Sequence, residues 1–450
     1  MRIALAPGAF FDGKRRPTPM HGHASPGGAF PNSLWDATAI PQVPGVPLAG
    51  SVRADVVVIG AGFTGLSAAL HLAERGTSVR VLDAGDAGSG TSGRAGGQVI
   101  AGYHRDPDVL RAVHGDDIGE RMTRFGGGAP DLVFALIKRH SIDCRPLRAG
   151  WIQAAFGESE LPTLHRRAEM WARLGAPVEC LDRAAIAALL GTGEYAGGWL
   201  DKRGGTVQPL SYARGLAHAA AAAGAALHYR TKALRLRRKR RQWKVETAGA
   251  AVVADAVLIC TNAHTGGLWP RLRGTIMPAH SVQIATAPLS AAARRTVLPG
   301  GHCCADTRVL LRYFRLDEAG RLVIGGPGPL WRPRGIRAWS FSALARSIRR
   351  LFPQIESPRF EFHWYGRGAL TWDMPPHLYE PAPGLLAALG YNGRGIAMGT
   401  ALGALLARRL HGEPPASLPF PVSRLSALPL GPLRGVYAGV LTLLSHLRAG

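Results

Sequence analysis

Three glycines and one aspartate carry the plainest chemistry in this chain. Gly60, Gly62 and Gly65 form a G-x-G-x-x-G run, and Asp83 follows 23 residues after the first of them. At that spacing Gly60 permits a tight turn, Gly62 lets a pyrophosphate approach the backbone, and Gly65 allows a helix to pack closely on a strand. A helix starting there presents N–H donors and the positive end of its dipole to phosphate. Asp83 is placed to accept hydrogen bonds from a ribose diol. Dinucleotide binding is the chemistry implied, and a glycine turn in an ordinary βαβ unit is the alternative.

The elements that must position these residues are legible around them. An apolar run, Val56 to Ile59, enters the turn; a small-residue helix runs from Leu66 to about Arg75, stopped by Gly76; a second strand, Val79 to Leu82, ends at Asp83. Between Gly204 and Asn262, G-G-T-V-Q-P-L-S-Y-A-R leads into a second small-residue helix, then a basic hairpin, then A-D-A-V-L-I-C as a buried strand ending at Thr261-Asn262. Near the end, P-G-L-L-A-A-L-G-Y-N-G-R-G-I-A is a third strand and glycine loop, with a helix over Ala397 to Leu410. A helix beginning near Gly393-Arg394-Gly395 would direct its positive end at developing negative charge; the alternative is a plain tight turn. G-G-P-G-P-L at Gly325–Leu330 has no helix signal after it, so no second nucleotide unit is expected.

A length of 450 residues fits two domains, and 46% hydrophobic with 19% charged residues is a globular composition. The net charge of +24 is nearly all arginine and is spread along the chain, apart from a cluster at Arg230–Lys244. There Leu234, Leu236, Trp243 and Val245 flank a charged tip at strand spacing, which predicts a hairpin with an exposed basic turn. Its face is either solvated or open to an anionic partner. Without interleaved aromatics, no nucleic-acid partner is expected. The five cysteines, Cys144, Cys180, Cys260, Cys303 and Cys304, show no zinc spacing, so no metal is expected, and their scatter suits a reducing, cytoplasmic setting. Cys303-Cys304 reads as a buried pair of small residues or as a redox site. No stretch reaches 18 apolar residues. Residues 1–31 read as a disordered leader, in which His21 and His23 are tail residues rather than ligands. Residues 32–50 read as an arm that packs Trp35 on the body. Residues 413–450 form a tail whose apolar part, Val436 to Leu447, reads as a helix that docks on the body or lies on a membrane surface.

Taken in order, V-V-I-G-A-G-F-T-G-L-S-A-A-L-H-L-A-E-R-G, S-G-R-A-G-G-Q, G-G-T-V-Q-P-L-S-Y-A-R-G-L-A, L-R-Y-F-R-L, W-Y-G-R-G-A-L-T-W-D-M-P-P and G-Y-N-G-R-G-I-A resemble a known family. It is the FAD-dependent amine oxidoreductases of the D-amino-acid oxidase/glycine oxidase/sarcosine oxidase superfamily. The likeness runs from Leu34 to about Pro421 and is greatest to the gamma-glutamylputrescine oxidoreductase-like branch. The resemblance implies an α/β (α+β mixed) fold, in which a discontinuous Rossmann-like FAD-binding domain is interleaved with an antiparallel-sheet substrate domain. The implied segments are 51–103, 205–265 and 363–412 for FAD, and 104–204 and 266–362 for substrate.

By the same resemblance, Gly60, Gly62, Phe63, Thr64 and Gly65 hold the pyrophosphate and Asp83 the ribose. Ser92, Gly93, Arg94, Gly96, Gly97 and Gln98 line the cofactor towards the isoalloxazine. Ala233 offers backbone to the adenine, Thr261 and Asn262 close the domain, and Gly393, Arg394 and Gly395 face the pyrimidine ring. The implied reaction is hydride transfer from the α-carbon of a neutral amine to flavin N5, followed by imine hydrolysis. The substrate is a gamma-glutamylputrescine-like amine or another primary or secondary amine. Oxidation of an N-methylated amine or an amino acid, and a flavoprotein without turnover, are the alternatives. Tyr313, Arg312, Trp372, Tyr391 and Tyr103-His104 are the candidate pocket residues, with packing as their alternative role; an aromatic cage would suit an amine. No lysine follows Lys244, which leaves the electron acceptor as O2 or another oxidant.

Overall fold

The computed structural model describes residues 33–328 and 338–426. The expected leader and the expected helix at Val436–Leu447 lie outside these residues. Two large sheets organise what is described. The first has nine strands and runs Val422–Ser423, His377–Ala382, Leu385–Leu389, Ala250–Ile259, Gly50–Ile59, Val79–Leu82, Ala226–His228. The five strands from Leu385–Leu389 to Ala226–His228 are mutually parallel. The expected basic hairpin, Arg235–Lys239 with Gln242–Glu246, pairs antiparallel onto Ala250–Ile259 beside them. Trp243 and Val245 bury its inner side, whereas Leu234 is exposed.

The second sheet has eight strands: Phe360–Leu370, Met277–Pro288, Arg321–Pro327, Tyr313–Leu316, Cys303–Asp306, Trp151–Ala155, Gly197–Asp201, Val178–Leu181. It is antiparallel except where Cys303–Asp306 runs parallel to Trp151–Ala155. The boundary drawn at 363 is therefore misplaced. The whole strand Phe360–Leu370 pairs along Met277–Pro288 in the second sheet, and the chain returns to the first sheet only after Thr371. At the other end, Val422–Ser423 adds a short strand to the first sheet, beyond the limit set at 412.

The parallel strands are apolar on both faces because helices cover one face and the hairpin and loops the other, as a parallel sheet requires. Three helices, Phe63–Ala73, Pro209–Ala222 and Gly395–Leu410, lie on the covered face with Asp116–Arg139 outside them. Their small residues permit close approach. A Cβ on Gly65 would stand 1.9 Å from the Gly60 carbonyl oxygen, and one on Gly403 would stand 2.4 Å from that of Thr64. The first helix starts at Phe63 rather than Leu66. The turn needs only Gly60, at φ +111, through Gly62, and Gly65 already belongs to the helix as its contact with the strand. The last helix likewise starts two residues early, at Gly395. Hydrogen bonds from Ser67 Oγ to the Thr400 carbonyl (2.7 Å) and between Tyr212 Oη and Thr400 Oγ1 (3.1 Å) lock these helices together.

Gly403→Ala is expected to destabilise the fold by about 1–3 kcal/mol through overpacking. Gly249→Ala, where nothing lies within 4 Å of the added Cβ, should change it by less than about 0.5 kcal/mol. Thermal unfolding of the two variants side by side checks the difference.

Candidate active site

The parallel strands Gly50–Ile59, Val79–Leu82, Ala250–Ile259 and Leu385–Leu389 all end on one edge. Ligands bind at that edge in open α/β sheets, outside the carboxyl ends of the strands. A cavity of about 1230 Å³ opens there and continues onto the face of the second sheet. Of the residues expected to hold the cofactor, Gly60, Gly62, Phe63, Thr64, Asp83, Ser92, Arg94, Gly96, Gly97, Gln98, Ala233, Thr261, Asn262, Gly393, Arg394 and Gly395 line it. Gly65 and Gly93 do not. Gly65 sits behind the turn against Gly60, and Gly93 is packed under Gly88 and Leu210, so both shape the backbone.

One end of the cavity is built from the glycine turn. Ser92 Oγ accepts the Phe63 N–H at 3.2 Å, at the start of the helix. A side chain on Gly62 would place its Cβ 2.8 Å from that oxygen. Asp83 accepts the Ala61 N–H (2.6 Å) and the Gly85 N–H (2.7 Å), which anchors its carboxylate beside the turn. Burial pushes its pKa up, and these two donors pull it back. Lys232, Ala233 and Leu234 approach from the base of the hairpin.

The loop from Arg94 to Gln98 forms the middle wall. Its carbonyls are held from behind: Gln283 Nε2 donates to Arg94 O (2.6 Å), Trp35 Nε1 to Ala95 O (2.8 Å), and Arg315 Nη1 to Gly97 O (3.0 Å). Arg315 is fully buried and also donates to Val207 O (2.6 Å); desolvation brings its pKa down to about 10. Sequence reasoning placed Trp35 on the body but assigned no role to Gln283 or Arg315. The alternating polar positions of their strands were a signal, but one without a partner until the loop is seen above them. Opposite this wall the helix Gly395–Leu410 begins, with Arg394 as its N-cap residue.

The candidate pocket residues divide. Tyr313 lines the cavity with its ring between Gly96 and Gly325, where added Cβ atoms would lie 2.7 and 2.2 Å away, and its hydroxyl meets Ser281 Oγ at 2.6 Å. Arg312 lines it too. Its Nε donates to Ser347 Oγ (3.0 Å) and its Nη1 to Leu310 O (2.6 Å). His104 lines it, with Nε2 bonded to the Asn392 carbonyl at 2.7 Å. Tyr391 touches the cavity, but its hydroxyl is engaged by Thr64 Oγ1 (2.6 Å) and Ala388 O (2.9 Å), which makes it a packing residue. Trp372 is corrected: it is 56% exposed and is not among the residues lining the cavity. Asn392 fastens its loop from the side, donating to Thr371 Oγ1 and Met374 O, so the loop turns Met374 inward and Trp372 out. Tyr103 is corrected as well. Its hydroxyl donates to Met122 O, and its ring packs against Gly126 and Phe420.

Two buried polar atoms at the wall, Gln283 Oε1 and Arg394 Nε, have no hydrogen-bond partner among the described residues. Together with the cradle at Gly62, they fit a long ligand that has a phosphate segment and a polar-edged ring. Asp83→Ala removes a charged acceptor beside the cradle, and FAD binding should weaken by about 10–100-fold, as loss of a charged hydrogen bond implies. Fluorescence titration of the flavin-free protein with FAD checks this.

The model of the DAO family, described as FAD dependent oxidoreductase, matches residues 55–409. Gamma-glutamylputrescine oxidoreductase of Escherichia coli is 33% identical over 90% of this chain and 97% of its own length. A probable oxidoreductase, OrdL, of Rhizobium meliloti is also 33% identical, over 85% of this chain and 89% of its own. Among solved structures, glycine oxidase from Geobacillus kaustophilus superposes with a TM-score of 0.70 at 25% identity, covering 83% of this chain and 99% of that one. The chain belongs to the DAO family of FAD-dependent oxidoreductases.

Proposed function

We propose that this protein oxidises the C–N bond of an amine that also carries a carboxylate. A gamma-glutamylated amine or an amino acid fits this description; a bare diamine does not. The observation that carries the reading is the charge along the substrate end of the cavity. Arg312 and Arg394 line it, and neither makes an ion pair among the described residues. The acids beside them are already engaged: Asp306 with Arg308 Nε, the Arg312 backbone N–H and Tyr195 Oη, Asp201 with Arg203, and Asp106 with Arg167. A diammonium substrate would meet cations with no spare anion, whereas a carboxylate would meet Arg312, whose Nε and Nη1 are committed to holding the side chain in place.

FAD, when bound, supplies the two-electron acceptor. The residues that would hold it are the turn Gly60–Thr64, Asp83, the loop Ser92–Gln98, Ala233, Thr261-Asn262 and the helix start at Gly393–Gly395. The chain's own part in the reaction is positioning and electrostatics. The helix start and the Arg394 cation stabilise negative charge arriving at that wall without reorganising. Tyr313, fixed between two glycines, walls the cavity at the Arg94–Gln98 loop. Water then hydrolyses the imine product. The relatives' names support the amine and amino-acid classes, and the reading for this chain extends from them.

Anaerobic bleaching of the flavin absorbance against gamma-glutamylated putrescine, free diamines, sarcosine and simple amino acids tests the reading. Carboxylate-bearing members should bleach the protein, and admission of air then reports whether O2 re-oxidises it. In Arg312→Met, KM for those substrates should rise about 10–100-fold, the cost of one hydrogen bond between charged groups. Bleaching by free diamines alone would overturn the reading.

A further inference from the structure

The hairpin formed by Arg235–Lys239 and Gln242–Glu246 carries more charge than its fold requires. Residues 230–244 hold nine lysines and arginines and no acid. The inner side of the hairpin is fixed to the body. Trp243 is buried, donates from Nε1 to Pro383 O (3.2 Å) and meets the Trp269 ring edge-on at 5.8 Å, and Val245 is buried beside it. The outer side faces solvent. There Arg235, Arg237 and Lys244 share one acid, Glu246, at 3.9, 3.8 and 3.3 Å. Lys239, Arg240 and Arg241 are exposed and make no ion pair among the described residues. The turn itself is Arg240-Arg241, and Arg240 stands at φ +57, where a two-residue hairpin turn favours glycine or asparagine. Arginine occupies a conformation that disfavours it, so local folding does not account for the charge at the tip. The described chain also ends against this ribbon. Leu425 packs on the apolar cluster that holds Leu236, Trp243 and Trp269. Residues 427–450 contain no aspartate or glutamate, and they include the apolar run Val436–Leu447.

We propose that the outer face of this hairpin docks on an anionic lipid surface, and that the sequence after Ser426 supplies an apolar second contact. Three observations select lipid among polyanions. Strand alternation puts Arg235, Arg237 and Lys239 on one side of the ribbon, and Lys244 stands opposite Arg237 on that side. Buried Trp243 fixes the ribbon, so these cations and the tip can meet a flat surface together without rearrangement. Leu234, at the base of the ribbon, is 53% exposed. Leu425 brings the acid-free sequence that follows it to the same place. Stable surface attachment takes two signals, and an apolar contact beside a polybasic patch is such a pair. A nucleic acid would use the charge and leave the apolar contact unanswered. The base of the same ribbon, Lys232–Leu234, lines the cavity, so docking holds that end of the cavity close to the membrane surface. This inference is independent of which amine is oxidised.

Co-sedimentation of the full-length, FAD-loaded protein with vesicles tests this, using phosphatidylcholine alone and phosphatidylcholine mixed with phosphatidylglycerol. Wild type should sediment with the mixed vesicles only, and salt should weaken the binding steeply to a smaller remainder. A variant with Arg237→Gln, Lys239→Gln and Arg240→Asn removes three exposed cations, none of which lines the cavity. It also gives the turn a residue suited to its backbone. Its affinity for the mixed vesicles should fall about 100-fold, or about fivefold for each cation, while flavin content and thermal unfolding stay as in wild type. Leu443→Asp with Leu444→Asp, within the apolar run, should abolish the binding that survives high salt. Equal binding to both kinds of vesicle, no binding to the mixed vesicles at low salt, or a triple variant that binds them as tightly as wild type overturns the proposal. Unchanged binding by the double aspartate variant overturns its second contact. A short DNA duplex that is bound where vesicles are not, and released by the triple substitution, overturns it in favour of a nucleic-acid partner.

Discussion

Three carbonyl oxygens hold this site in shape. Arg94, Ala95 and Gly97 turn their C=O groups away from the cavity because Gln283, Trp35 and Arg315 take them from behind. A glycine-rich loop has little of its own to fix it, so its conformation must be imposed from outside. The donors come from three places: the strand Met277–Pro288 of the second sheet, the short helix of the N-terminal arm, and the strand Tyr313–Leu316, two places along the second sheet. Arg315 is costly to bury without an acid partner, and its pKa falls accordingly. That cost is met by three backbone acceptors, Gly97 O, Val207 O and Leu316 O. The loop is thereby coupled to the second sheet, although it follows a strand of the first in sequence.

The same coupling explains why the cavity spans both sheets. The first sheet supplies a turn, an acid and two helix starts along one edge. The second sheet supplies a floor on which Tyr313 is clamped between Gly96 of the loop and Gly325 of its own neighbouring strand. Neither half forms an enclosed site alone. The arginines that reach the interior, Arg312 and Arg394, approach from opposite halves, and their charge is left for a ligand to answer.

Much of this was legible in the sequence because it is local. The strand–turn–helix at Gly60, the buried strand ending at Thr261 and the late helix after Gly395 are each written in consecutive residues with a period and a stop signal. What was not legible depends on partners far apart in the chain. Nothing near Trp372 says that Asn392 will fasten its loop so that the indole faces outward. Nothing near Tyr103 says that Gly126 will leave a notch for its ring. The domain limit at 363 failed for a similar reason. Phe360–Leu370 is a long strand with mixed burial, and only its pairing along Met277–Pro288 shows which sheet it joins.

The arm carries a consequence for assembly. Trp35 is buried by residues that reach the length of the chain: its indole N–H meets Ala95, its carbonyl receives Gln208, its ring lies under Arg315 and against Trp364. During synthesis this residue leaves the ribosome well before its partners, and Trp364 follows more than three hundred residues later. Contacts of such long sequence separation close late. The Arg94–Gln98 loop therefore acquires its final backing only after Trp364 has been made. A nascent chain arrested before Trp364 would carry a complete glycine turn and an unfinished cavity wall.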